Sequence, residues 1–190
     1  MADDASFAHR RWPDMEFRES RISGAWIIDL TQIADHRGFF AKAWSPDEFS
    51  RRGMNPAVAQ INLAFNHTRG TLRGMHFQKA PHAQAKTVRA TRGALLDVMV
   101  DLRETSPTYK QWEAVELTAE NRRMLYLPEG IAHGYLTLVN DTEASYQVSS
   151  PWAPAAESGV RWDDPAFAIA WPFSPLAISE KDQAWPLWPA

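Results

Sequence analysis

From position 57 to position 150 the chain is a succession of short apolar-rich runs separated by turn residues: "AVAQINLAF", "GTLRGMHFQ", "AKTVRATRG", "ALLDVMVDLR", "WEAVELT", "RMLYLPEG", "GYLTLVN" and "EASYQVSS". None is long enough for a helix of ordinary length. Several alternate, as in "WEAVELT", where Trp112, Ala114, Val115 and Leu117 stand against Glu113 and Glu116. Many short strands at close spacing restrict the fold to a β-sandwich or barrel. "GAWIIDLTQIAD" (24–35) and "DHRGFFAKAW" (35–44) add strand character upstream. "SPDEFSRRGM" (45–54) is the one helical signal near the start, with Ser45 as cap, Pro46 in the first turn and Asp47 and Glu48 at the positive end of the dipole. The proline- and tryptophan-rich stretch from 162 to 188 is too apolar for disorder and is expected to wrap on the β core. The expected organisation is a polar N-terminal arm over 1–23 and a single domain over 24–190.

Composition narrows the function. With 190 residues and 45% hydrophobic side chains, the chain can build one real core. A net charge of −3 argues against a nucleic-acid binder, while leaving room for a local basic pocket. There is no cysteine, so disulfides, zinc–thiolate sites and cysteine nucleophiles are ruled out, and a reducing cytoplasm fits. "MADDASFAHRRWPDMEF" has no apolar run of the signal-peptide kind. No stretch approaches the roughly 20 apolar residues that span a bilayer, so no membrane role is expected.

Polar groups inside apolar runs are the candidate site residues. "GTLRGMHFQ" carries Arg73 and His76 on one strand. His76 reads equally as a core histidine bonded to a carbonyl. His133 follows Pro128 and Gly130 in "LPEGIAHGY", a spacing that resembles the second motif of cupins; alone it is a histidine at a turn end. Metal-binding cupins pair two histidines as His-x-His, and here that strand reads His76-Phe77-Gln78, with His82 beyond it. That is a weak donor set for a transition metal. Arg37 and Arg73 sit beside glycines, which let a backbone approach a ligand, and arginine forks suit phosphate oxygens. Arg89 and Arg92 read as a solvated face. Tyr146 is consistent with a core aromatic, and Asp182 with a surface charge or a helix cap.

"DHRGFF", "QIN", "GTLRGMHFQ", "QAKTVRATRGALLDVMVDLRETSPTYKQWEAVELTAENRRMLYLPEGIAHGY", "YQVSSPWAPAAESGVRWDDP" and "WPFSPLAISEKD" together resemble the dTDP-4-dehydrorhamnose 3,5-epimerase family, from about position 24 to the end. The resemblance implies an all-β cupin jelly roll with a few short peripheral helices, a homodimer, no metal or organic cofactor, and a dTDP-linked 4-keto-6-deoxy sugar as substrate. It implies His76 as base, Asp182 as its carboxylate partner, Tyr146 as the acid that returns the proton, and Lys86 beside the developing oxyanion. His133, Gln60 and Asn62 fall on the substrate pocket. Arg37 and Arg73 fall on the diphosphate, one of them from the partner subunit. The sequence departs from the family pattern at Lys42 (usually glutamate), Ala64 and Asn66 (usually serines) and Trp152 (usually tyrosine). The alternatives are a C3-only epimerase of a related nucleotide sugar, a non-catalytic sugar-nucleotide-binding cupin, and a metal-dependent cupin. Strict alternation would point Arg73 and His76 to opposite faces, so sharing a pocket requires a bulge or twist at Gly74.

Overall fold

The structure, a computed structural model, describes residues 12–189. In chain order, β1 (Glu16–Glu19) and β2 (Trp26–Asp29) form one hairpin, and β3 (Gln32–Asp35) and β4 (Gly38–Ala41) a second. Helix α1 (Pro46–Ser50) follows. Then come β5 (Gln60–Asn66), β6 (Thr71–Gln78), β7 (Lys86–Arg92), β8 (Ala94–Asp101), β9 (Trp112–Thr118), β10 (Met124–Leu127), β11 (Ile131–Thr137) and β12 (Thr142–Val148). The C-terminal part holds β13 (Glu157–Gly159), β14 (Ala177–Ile178) and α2 (Glu180–Gln183).

The strands form two six-stranded sheets. One runs β1-β2-β10-β7-β12-β5; the other runs β13-β6-β11-β8-β9, with β14 added beside β6. The neighbours pair antiparallel except β14, which runs parallel to β6. The sheets face each other as a jelly roll, the all-β architecture expected. Ile27, Val88, Leu125 and Leu127 from the first sheet meet Leu95, Met99, Leu117 and Tyr135 from the second in one buried cluster.

Both sheets are also covered on parts of their outer faces, which explains why so many runs are apolar throughout rather than alternating. Met15, Phe49 and Met54 cover Ile28, Met124 and Tyr126 of the first sheet. Val160, Phe167, Trp171 and Trp188 cover Met75, Val98, Val100 and Ala132 of the second. β11, buried at every position, lies at the centre of the second sheet.

Three local expectations change. The strand character of 24–35 is broken at Leu30 and Thr31, so it serves two hairpins. Residues 1–11 of the expected arm lie outside the described residues, but from Met15 onward the chain is built in: Met15 and Ile22 are buried, and β1 is the edge strand beside β2. Ser45 occupies the cap of α1, yet its side chain makes no capping bond; its carbonyl accepts from the Phe49 N–H at 3.1 Å. Among the described residues, no helix is long and apolar enough to cross a membrane.

Candidate active site

A cavity of about 550 Å³ opens between the two sheets. Its wall on the second sheet is β6, and the local geometry answers the alternation problem. His133 of β11 pairs with His76, and Tyr135 with Arg73, so two residue steps on β11 oppose three on β6. That is a β-bulge, and one extra residue returns Arg73 and His76 to the same face. Both line the cavity. The bulge needs glycine on both strands. Gly74 has φ +148°, and a Cβ there would stand 2.5 Å from the Gly134 Cα; a Cβ on Gly134 would stand 2.8 Å from the Arg73 carbonyl oxygen.

Asp182 reaches this strand from far along the chain by two anchors. β14 runs beside Thr71 and Leu72 of β6, which fixes the chain just before α2. Ser179 then caps α2, its hydroxyl accepting from the Asp182 N–H at 3.1 Å. Asp182 Oδ1 lies 2.6 Å from His76 Nε2, and Oδ2 accepts from the Gly74 N–H at 3.3 Å. Asp182 is neither a surface charge nor a cap; it is 4% exposed. Burial opposes its charge, but the His76 contact and the Gly74 N–H together hold its carboxyl below the usual range. The Trp185 ring meets the His76 ring edge-on, with centroids 6.1 Å apart.

The first sheet supplies the opposite wall. Tyr146 of β12 and Lys86 of β7 line the cavity, with Gln60 and Asn62 of β5. Burial pushes the Tyr146 hydroxyl upward in pKa, and Arg73 partly opposes this. Lys86 keeps some surface in the cavity but is densely surrounded by protein, and this loss of water pulls its pKa down to about 8 against the charges of Asp97 and Glu157. Its Nζ donates to the His76 carbonyl at 3.4 Å. His133 stands beside His76 on the second sheet, with Nε2 2.9 Å from Asp97 Oδ2.

Of the residues singled out from sequence, His76, Asp182, Tyr146, Lys86, His133, Arg73, Gln60 and Asn62 share this one cavity. Arg37 does not. It lies at the turn between β3 and β4, 78% exposed, with its guanidinium 2.5 Å from the Asp35 carboxylate. It does not line this cavity, because the hairpin that carries it pairs with neither main sheet.

The departures from the family pattern also separate. Lys42 lies outside the cavity and pairs with the buried Glu48 and, at 3.4 Å, with Asp14. Asn66 is buried, and its Oδ1 accepts from Arg73 Nε at 2.8 Å, so it aims the arginine. Ala64 and Trp152 line the cavity. Gln78 is committed to structure: its amide donates to the His82 and Pro151 carbonyls and accepts from the Ala153 N–H. Among the described residues, no three carboxylate or imidazole groups converge as a metal-ion site.

Glu157, Lys181 and Tyr135 also line the cavity and had no local signal in the sequence. Asp97 had one, as the lone carboxylate inside "ALLDVMV". Chemically, the cavity places an oriented imidazole on one sheet, a phenol on the other, and an ammonium of lowered pKa beside them. That is an arrangement for taking a proton from carbon and returning one.

The family model described as dTDP-4-dehydrorhamnose 3,5-epimerase matches residues 19–189. A dTDP-4-dehydrorhamnose 3,5-epimerase of Sinorhizobium fredii is 41% identical over 174 residues, covering 91% of this chain and 89% of the relative. A dTDP-4-dehydrorhamnose 3-epimerase of Streptomyces niveus is 42% identical over 170 residues, covering 89% and 82%. The crystal structure of a dTDP-4-dehydrorhamnose 3,5-epimerase from Bacillus anthracis with TDP and PPi bound is similar at a TM-score of 0.88 and 39% identity, covering 92% of this chain and 100% of that one.

Proposed function

Because this chain belongs to the dTDP-4-dehydrorhamnose 3,5-epimerase family, whose members are isomerases, we propose that it inverts C3 and C5 of dTDP-4-dehydro-6-deoxyglucose to give dTDP-4-dehydrorhamnose. The observation that carries this is the oriented His76–Asp182 pair on one wall of the cavity with Tyr146 on the other. His76 removes the proton from the carbon next to the C4 ketone. The electron pair moves onto the ketone oxygen, where the Lys86 ammonium stabilises the enolate. Tyr146 gives a proton to the opposite face of the carbon, and its phenol, held protonated by burial, is suited to that. Asp182 keeps the imidazole in place through its 2.6 Å contact with Nε2. No metal or organic cofactor takes part, and the segment from Met15 onward acts together with residues 24–190 as one domain.

The test is incubation with the substrate in heavy water, followed by NMR. Deuterium is expected at both C3 and C5; uptake at neither carbon would end the epimerase reading. The similarity to the Streptomyces niveus 3-epimerase supports a second reading, inversion at C3 alone, for which deuterium would enter only there.

Arg73, aimed by Asn66, is assigned to the diphosphate. Arg73→Ala is expected to raise KM about tenfold or more and to change kcat much less, as removal of an interaction common to bound substrate and transition state does. Steady-state kinetics check this; a fall in kcat at unchanged KM contradicts the assignment.

Lys86 has to be charged to hold the enolate oxygen. With its pKa lowered to about 8 by burial, the free enzyme loses that charge as pH rises through this value. The profile of kcat/KM is therefore expected to fall above about pH 8. A profile flat to pH 10 would remove Lys86 from this role.

The active unit is assigned as a homodimer. Ile61, Leu63 and Phe65 leave one face of the edge strand β5 apolar and exposed, and the paired Ile33 and Phe40 do the same on the β3–β4 hairpin. Leu63→Lys is expected to give monomers in analytical ultracentrifugation, where the unmodified chain sediments as a dimer. Arg37 on that hairpin is assigned to the diphosphate of the partner's cavity.

A further inference from the structure

The His76 imidazole is tethered at one ring atom. Asp182, held ionised below the usual carboxyl range, accepts the Nε2–H at 2.6 Å, so Nδ1 is the nitrogen left to take a proton. One such tether does not fix the plane of the ring. Nε2 lies close to the Cβ–Cγ axis, so turning about that bond moves Nε2 little and Nδ1 more, and this torsion is intrinsically broad. Among the described residues, the aromatic ring in contact with His76 is that of Trp185, with centroids 6.1 Å apart and planes at 68°.

The indole is itself firmly placed. α2 fixes the chain before it, and after it the Pro186 carbonyl accepts from the Arg161 N–H at 3.3 Å. The ring lies on Gly159 of β13, the residue paired with His76 on β6. A Cβ on Gly159 would stand 2.4 Å from Trp185 Cε2, and the Gly159 backbone is outside the left-handed region, so glycine is there for room. Lys181 Nζ lies 5.6 Å from the indole centroid and bonds Glu157 of the same strand at 2.6 Å. Trp185 Nε1 is buried with no hydrogen-bond partner among the described residues. A buried indole N–H usually finds a partner, and leaving it unpaired is costly. Packing alone therefore sets this ring, at a cost that a phenyl would not incur.

We propose that Trp185 is a positioning residue for the base: its ring holds the plane of the His76 imidazole, so that Nδ1 faces the carbon that loses its proton. The carbon rests on the epimerase reading above; the hold on the imidazole does not. Trp185→Leu removes the ring, and Trp185→Phe keeps one. In Trp185→Leu, kcat is expected to fall about tenfold or more at nearly unchanged KM, because misplacement by about 1 Å can cost on the order of a hundredfold. Trp185→Phe is expected to recover most of that loss. Equal losses in the two variants, or a loss carried by KM, assign Trp185 a merely structural role and overturn the proposal.

A measurement without substrate decides the hold separately, and stands even if a variant does not fold. In the unmodified protein, ¹³C relaxation of the His76 ring is expected to give an order parameter of about 0.85, that of a rigid group, and in Trp185→Leu a value below about 0.6. A mobile ring in the unmodified protein, or an equally rigid one in Trp185→Leu, overturns the proposal. A ring that is rigid only with Trp185 in place, found together with no deuterium uptake at C3 or C5, would end the epimerase reading and leave the hold on His76 standing.

Discussion

His76→Ala is expected to lower deuterium exchange at C3 and C5 by about a thousandfold or more, within the range a positioned general base supplies. The alanine removes the only group on the bulged strand that can accept a proton from carbon while hydrogen-bonded to a buried carboxylate. Asp182 would lose its Oδ1 partner but keep the Gly74 N–H, so α2 has reason to stay docked. Binding of dTDP, measured by calorimetry, is expected to change little, because Arg73 is held by Asn66 rather than by His76. Separating the two readouts is the point of the experiment. Retained turnover would remove His76 as the base, whereas loss of both turnover and binding would mean that the cavity had collapsed.

Gly74→Ala is expected to destabilise the fold by about 3 kcal/mol or more, combining roughly 1–3 kcal/mol for a side chain at a left-handed φ with a similar amount for overpacking. The new Cβ would stand 2.5 Å from the Gly134 Cα, where backbone meets backbone and neither strand can give way cheaply. Activity is expected to fall with stability, because the bulge is what puts Arg73 and His76 on one face. Gly53→Ala is the control. Gly53 also has a positive φ, +72°, but a Cβ there would meet nothing within 4 Å, so only the backbone cost of about 1 kcal/mol applies. Denaturant midpoints measure both; equal shifts would refute the close-approach argument.

The strands from β5 to β12 were legible because turn residues delimit them and their apolar content leaves no other periodicity. The hairpins at the start were less so: Leu30 and Thr31 carry no turn chemistry, and the break there is made by β2 joining β10 while β3 joins β4. Arg73 and His76 were recognisable as a problem of alternation, and Gly74 as its solution. Tyr146 and Asp182 had bland local readings; only the ordered set of motifs attached roles to them, since no spacing in sequence reports that β14 lies along β6. Arg37 lies outside the cavity of this chain, because glycine beside arginine describes a turn as well as it describes a ligand loop. Asp97 was overlooked although a lone carboxylate in an apolar strand is a strong signal, because its partner His133 lies on a different strand of the same sheet.

The route by which Asp182 reaches His76 has a consequence for how activity appears during synthesis. Every strand of the two sheets up to β13 precedes Asp182 in the chain, so the sandwich, Arg73, Tyr146 and Lys86 can all be in place before the carboxylate emerges. A nascent chain halted before α2 would hold the walls of the cavity and an unoriented imidazole. Chain order thus sets the carboxylate that orients the proposed base after the strands that form the cavity walls.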